Sequence, residues 1–212
     1  GLSGADEMLY PENSSYVEDL LTYVAVGARS SENQMHRLVS SGIEVPVGIK
    51  NPMSGSILVA LNSVFAAQSP QVFKYNNWQV ATNGNEYAHV VLRGRVDNYG
   101  NDIPNYHYET VMRVYEGYVN SHDELKNPAV IIDSNHSNSK KQFFQQIRIV
   151  EEVLQNRMFD KDFKKIVKGF MIESFLEEGC QQHDIVFGKS ITDPCLGWED
   201  TERLILDIAE KV

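Results

Sequence analysis

Positive charge is in short supply: 19 Lys and Arg stand against 29 Asp and Glu, a formal net charge of −10. A surface built to wrap nucleic acid needs clustered cations, so that class of function is set aside. Cysteine is scarcer still. Cys180 and Cys195 are the two in the chain, too few for a disulfide scaffold, and both are expected as small buried hydrophobes rather than nucleophiles. No apolar run approaches the roughly 20 residues that span a bilayer, and no basic, apolar and small leader opens the residues at hand. A soluble cytosolic protein, with neither membrane nor nucleic acid as partner, is the expectation. Low-complexity stretches, Pro- or Ser-rich linkers and fixed-period repeats are missing too. So are His-x3-His and Cys-x2-Cys, hence no local metal signature. Gly188–Lys189–Ser190 ends like a phosphate-binding loop, but His183 stands where that motif requires glycine. The first residue is Gly1 rather than Met, which fits a cleaved tag or a chain that begins in mid-domain.

What the 212 residues do contain is 42% hydrophobic side chains, enough for one core. Five short runs are apolar almost end to end: Tyr23–Ala28, Val45–Lys50, His89–Arg93, Ala129–Asp133 and Val167–Glu173. Such runs suit strands buried on both faces, as in a parallel sheet. A sixth strand is expected just ahead of Glu7. Between the runs, 31–39, 57–67, 109–119, 141–154 and 201–212 carry apolar residues three and four apart and read as helices. Ser56, Ser139 and Asp200 are placed to cap them. Strand-then-helix alternation means an α/β fold with right-handed crossovers. The stretch 72–87 differs, reading as an inserted β-hairpin with Asn83–Gly84 as its turn.

Nearly every expected strand ends in a polar group: Arg29, Lys50, Arg93, Asp133 with His136 just beyond, and Glu173. In a parallel barrel these ends open onto one face, where the loops build the active site. A full barrel typically takes ~250 residues and eight strands. The expected fold is therefore a parallel (β/α)8 TIM-type barrel, incomplete at its N-terminus, with the last five or six βα units in a single domain over 1–212. His136, Glu173 and Asp193 would meet on that face, and one imidazole with two carboxylates suits Mn, Fe, Co or Zn in the divalent state. The alternative is that they merely cap helices and open turns. Arg29, Lys50 and Arg93 would focus positive potential there, as a phosphate or carboxylate ligand requires. The alternative is separate surface ion pairs.

Six segments occur in order: Gly27–Glu32 (GARSSE), Pro46–Asn51 (PVGIKN), Leu92–Gly94 (LRG), Asp133–Ser139 (DSNHSNS), Met171–Ser174 (MIES) and Gly188–Thr201 (GKSITDPCLGWEDT). Together they resemble the type I 3-deoxy-D-arabino-heptulosonate 7-phosphate (DAHP) synthases along the whole length. The resemblance implies a metal-dependent (β/α)8 barrel that condenses phosphoenolpyruvate with erythrose 4-phosphate, releasing phosphate, at the head of the shikimate pathway to the aromatic amino acids. It implies that His136, Glu173 and Asp193 are three of four metal ligands. Arg29, Lys50 and Arg93, with the backbone of Ala28, would hold phosphoenolpyruvate, and Glu7 would line the same pocket and orient a water. Lys50, His136 and Asp193 are the catalytic candidates, and a homo-oligomer is expected. The family's fourth ligand, a cysteine of the first barrel strand, and its Lys-Pro-Arg-Thr element have no counterpart. The chain is thus expected to be the C-terminal part of such a barrel. The other reading is a catalytically inactive barrel fragment, a pseudoenzyme or interaction subunit. Pro52–Gly55 (PMSG) also departs from the family's Gly-Thr-Asp-Gly.

Overall fold

The computed structural model describes residues 2–121, 124–182 and 185–212; Gly1 and His183 lie outside the described residues. In chain order the strands are β1 (Gly4–Glu7), β2 (Leu21–Val26), β3 (Val47–Lys50), β4 (Gln71–Tyr75), β5 (Trp78–Thr82), β6 (His89–Leu92), β7 (Arg95–Val96), β8 (Asp102–Ile103), β9 (Val130–Asp133), β10 (Val167–Met171), β11 (Glu177–Cys180) and β12 (Lys189–Ser190). The helices are α1 (Gln34–Ser40), α2 (Ile57–Gln68), α3 (Tyr108–Val119), α4 (Gln145–Phe159), α5 (Lys161–Ile166) and α6 (Trp198–Lys211). Six strands form one parallel sheet in the order β1-β2-β3-β6-β9-β10. It curls into a half-barrel with helices on its outer side.

All the expected main strands are present, including the one ending at Glu7. Short α5 went unanticipated because its six residues complete less than two turns of periodicity. Ser56 does cap α2, its hydroxyl accepting from the Val59 N–H at 3.2 Å. The other two caps are corrected. α6 starts at Trp198 with Gly197 before it, so Asp200 lies inside its first turn, where a carboxylate favours the helix dipole. Ser139 sits well ahead of α4 and donates instead to Asn135 Oδ1 at 2.7 Å. The hairpin is also real but turns elsewhere. β4 and β5 meet around Asn76 and Asn77, at φ 47° and 66°, the two left-handed residues of a tight hairpin turn. Gly84 serves a different need: a Cβ there would lie 2.1 Å from the Gln68 carbonyl oxygen at the end of α2. The cysteines depart from expectation as well, Cys180 being exposed and Cys195 half-buried.

Strand alternation divides the sheet into two faces. Val24, Val26, Val47, Ile49, Val90, Leu92, Val130 and Ile132 point outward into the core shared with the helices, each burial stabilising by roughly 1.5–3 kcal/mol. The other face, inside the curl, carries Tyr23, Gly48, His89 and Val91 lower down and Lys50 and Asp133 at the top. Tyr23 reaches from β2 across β3 to β6, where its hydroxyl lies 2.8 Å from His89 Nε2. It passes directly over Gly48: a Cβ at that position would stand 1.9 Å from the Tyr23 oxygen.

His89 is held neutral there. Nδ1 faces the Tyr87 carbonyl at 2.8 Å and must donate, so Nε2 accepts from the Tyr23 hydroxyl. Burial pushes the imidazole below its usual 6.5, only partly opposed by the Tyr87 carbonyl. Below pH ~6.5 the unfolded chain therefore binds a proton that the folded one refuses, and stability drops as the pH is lowered, by up to ~1.4 kcal/mol per unit. Urea midpoints taken from pH 7.5 to 5.5 should fall more steeply for the natural chain than for His89→Asn. Coincident profiles would show that another group carries the dependence.

Candidate functional site

The carboxyl ends of the parallel strands gather the polar groups. Glu7 and Lys50 are the last residues of β1 and β3, and Asp133 the last of β9. Arg93 follows β6 by one residue and Glu173 follows β10 by two, while Arg29, His136 and Asp193 lie in the loops above. Glu7, Ala28, Arg29, Lys50, Met53, Arg93, His136, Lys141 and Asp193 line one cavity of ≈ 360 Å³. Of the site residues expected from sequence, Glu173 alone is not on that wall, and it stands directly behind His136.

A chain of close contacts runs through the site. Lys50 Nζ donates to Glu7 Oε2 at 3.1 Å and lies 3.6 Å from Asp133 Oδ2. That same Asp133 oxygen is 2.8 Å from His136 Nδ1. On the far edge of the ring, His136 Nε2 is 3.3 Å from Glu173 Oε1 and 3.8 Å from Asp193 Oδ2. Lys141 closes the chain at 3.3 Å from Asp193 Oδ1. Burial pulls the His136 imidazole down, but Asp133 and Glu173 outweigh it and leave its pKa above the ordinary value. Glu173 is raised, chiefly by burial. Burial also lowers the pKa of the Arg93 guanidinium, opposed first by Asp133, yet arginine stays charged.

His136, Glu173 and Asp193 each offer one ligand atom, all within 4.8 Å of one another. The donor set suits a borderline divalent ion. A second observation agrees. Among the described residues, Asp133 Oδ2 and His136 Nδ1 are the buried side-chain polar atoms without an aligned hydrogen bond, although they lie 2.8 Å apart. With its Nδ1 edge against a carboxylate, the ring presents the Nε2 lone pair to Glu173 and Asp193. That is the arrangement of a metal-binding histidine backed by an outer carboxylate.

Behind these groups lies a scaffold of buried amides that the sequence reading did not single out. Asn51 Oδ1 accepts from the Arg93 N–H and from Asn105 Nδ2, both at 3.0 Å, while its Nδ2 donates to the carbonyls of Pro52 and Gly94 at 2.9 Å. Asn138 Nδ2 donates to the carbonyls of Leu92 and Asp133, and its Oδ1 accepts from the Asn105 N–H. Loops after three neighbouring strands are thus tied together beneath Lys50, Arg93 and His136. Gln146 of α4 pins Glu173, accepting from its N–H at 2.9 Å and donating to its carbonyl at 3.0 Å. Asn135 holds the Glu173 side chain at Oε2. His136, Lys140 and Lys141 have φ of 47°, 53° and 57°, backbone strain of the kind that accumulates where function fixes geometry. The one signal in sequence was the density of Asn and Ser in 134–139, which marks side chains able to satisfy loop backbone.

A parallel sheet with converging cations and carboxylates at its carboxyl ends defines an α/β protein whose ligand site lies in the crevice above the strands. The DAHP synthetase I family profile matches residues 1–205, and the chain belongs to that family. It is 38% identical to the Phe-sensitive phospho-2-dehydro-3-deoxyheptonate aldolase of Escherichia coli K12, covering 100% of this chain and 60% of the relative. Identity to the Haemophilus influenzae phospho-2-dehydro-3-deoxyheptonate aldolase is 36%, with 58% of that protein covered. The solved phospho-2-dehydro-3-deoxyheptonate aldolase from Francisella tularensis SCHU S4 superposes with a TM-score of 0.87 at 31% identity, over 100% of this chain and 61% of that one. The chain therefore spans about three-fifths of the length of the curated relatives it matches. No helix of the described residues is long and apolar enough to cross a membrane.

Proposed function

We propose that this chain carries the phosphoenolpyruvate- and metal-binding part of a DAHP synthase site, on six of the eight strands of a (β/α)8 barrel. The reaction is the condensation of phosphoenolpyruvate with erythrose 4-phosphate to DAHP and phosphate, in the cytoplasm. The observation that carries it is the meeting, around one cavity, of three strand-end cations with the His136–Glu173–Asp193 group.

Arg29, Lys50 and Arg93 offset the carboxylate and phosphate of phosphoenolpyruvate, with the Ala28 backbone as a further contact. His136, Glu173 and Asp193 would hold a divalent ion (Mn, Fe, Co or Zn), which would supply Lewis acidity to the aldehyde oxygen of the sugar. Carbon 3 of the enolpyruvate forms a bond to the aldehyde carbon, whose oxygen takes up a proton. The resulting oxocarbenium-like centre at carbon 2 is offset by Glu7 on the cavity wall. Glu7, anchored by Lys50, orients the water that adds there; one water proton balances the one taken up by the aldehyde oxygen, and the other leaves with inorganic phosphate as the carbon–oxygen bond to phosphate breaks and carbon 2 becomes the ketone. Lys141, against Asp193, is an added cation at the cavity mouth.

A second reading has its own support. β1 pairs only with β2 and β10 only with β9 among the described residues, so the sheet has two open edges. Open edges recruit further strands, which favours a barrel fragment that binds anions without turnover until completed by other chain or by a partner, a second copy included.

Phosphoenolpyruvate consumption with erythrose 4-phosphate, with Mn²⁺ and again with chelator, tests both. Chelator-sensitive turnover by these residues supports the enzyme and removes the fragment reading. Phosphoenolpyruvate binding without turnover, with activity restored by a companion segment, supports the fragment. Absence of any phosphoenolpyruvate binding removes both.

A further inference from the structure

We propose that Asp133 is a positioning residue that couples the anion pocket to the metal group, so that each ligand tightens the other. This rests on the reading of Lys50 as an anion ligand and of His136 as a metal ligand.

One oxygen serves both sides. Asp133 Oδ2 stands 3.6 Å from Lys50 Nζ and 2.8 Å from His136 Nδ1. The other oxygen is committed, accepting the Asn135 N–H at 3.0 Å. At 1% exposure the carboxylate has no solvent from which to recruit a replacement, so what one partner gains the other gives up. Lys50 is likewise contested. Its three protons serve Glu7 and Asp133, and an anion in the cavity is a third claimant. Drawing Nζ toward that anion lengthens its contact with Asp133 and leaves Oδ2 to the His136 N–H. A more firmly held Nδ1–H makes Nε2 the stronger ligand, the usual effect of an outer carboxylate on a metal-binding histidine. In the reverse direction, a cation on Nε2 polarises Nδ1–H toward Asp133 and loosens the claim of Oδ2 on Lys50. The two effects are one coupling, equal in both directions. Direct attraction between bound anion and cation adds a share that does not pass through Asp133. Asp133→Asn isolates the rest: it retains an oxygen for the Asn135 N–H and removes the shared charge.

The test is calorimetric titration of Mn²⁺ into the full chain, alone and with saturating phosphoenolpyruvate, for the natural protein and Asp133→Asn. In the natural chain phosphoenolpyruvate should tighten Mn²⁺ by on the order of tenfold, within the usual range of such couplings. Asp133→Asn should bind Mn²⁺ about 10–100-fold more weakly and respond to phosphoenolpyruvate by about twofold or less. A variant with the full natural factor overturns the proposal, as does a natural chain whose Mn²⁺ affinity ignores phosphoenolpyruvate. If the natural chain binds no Mn²⁺, the metal reading beneath the proposal falls with it. A measurement independent of the variant's folding uses the metal-free natural protein. Phosphoenolpyruvate alone should shift the His136 Nδ1 nitrogen resonance as its 2.8 Å contact with Asp133 aligns into a hydrogen bond, and an unmoved resonance overturns the proposal.

Discussion

His136→Ala is expected to lose more than about 100-fold in Mn²⁺ affinity while its urea midpoint moves little. Loss of an outer-shell partner alone costs about 10–100-fold, so loss of a ligand must cost more. The imidazole lies between the two carboxylates of the group, its Nε2 3.3 Å from Glu173 and 3.8 Å from Asp193. Without it those carboxylates keep only each other's repulsion and their own tethers. The fold has less at stake. Asp133 retains the Asn135 N–H and Lys50, so no buried charge is stranded, and a loss of about 1 kcal/mol is expected. Calorimetry on the variant, with urea unfolding alongside, separates the two quantities. Unchanged Mn²⁺ affinity would show that the ion, if bound, sits elsewhere.

Lys50→Met reverses that balance and damages the fold as much as the site. Lys50 is buried between Glu7 and Asp133, the side chain of the latter only 2% exposed. Methionine keeps most of the stem but removes the ammonium that stands 3.6 Å from Asp133, leaving that carboxylate to His136, the Asn135 N–H and the more distant charge of Arg93. Breaking a buried pair by removing one partner costs about 3–5 kcal/mol. Phosphoenolpyruvate affinity should fall by about 10–100-fold as well, the worth of one hydrogen bond to a charged group. Urea unfolding reads the first effect and calorimetric titration of phosphoenolpyruvate the second. A midpoint within about 0.5 kcal/mol of the natural chain would mean that Asp133 does not depend on Lys50 for its charge. A large stability loss with unchanged affinity would place the anion away from β3.

The main sheet could be read from sequence because both faces of its strands are covered: the outer by helices, the inner by the curl itself. Val47–Lys50 and His89–Leu92, buried at every position, therefore stand out as unbroken runs. The convergence of Glu7, Lys50, Arg93 and Asp133 was likewise accessible, since parallel strands deliver their ends to one face. Their division of labour was not. Asp133 shows in sequence only as a strand end; that one of its oxygens stands between Lys50 and His136 depends on how far apart β3 and β9 sit, which no local pattern encodes. The joining of the Asn51, Asn105 and Asn138 amides was hidden for the same reason, the Asn and Ser density around Asn138 being its one local sign. The hairpin turn was misplaced because Asn83–Gly84 matches turn chemistry, whereas its glycine answers to the crowding of Gln68. Local signals compete, and tertiary contact decides among them.

The Tyr23 side chain lying over Gly48 also constrains how the family sequence can drift. A methyl group at position 48 would collide with the tyrosine oxygen and also approach a Val91 methyl at 2.8 Å. Position 48 therefore cannot gain a side chain while Tyr23 remains. A path from this sequence to one with a side chain at 48 must first pass through a smaller residue at 23, and that step leaves His89 Nε2 without its partner. Three residues on three adjacent strands form one heritable unit, and substitutions at them should be epistatic. Gly48→Ala, costly alone, should cost less once Tyr23 has given way, the contact with Val91 at 2.8 Å being what remains.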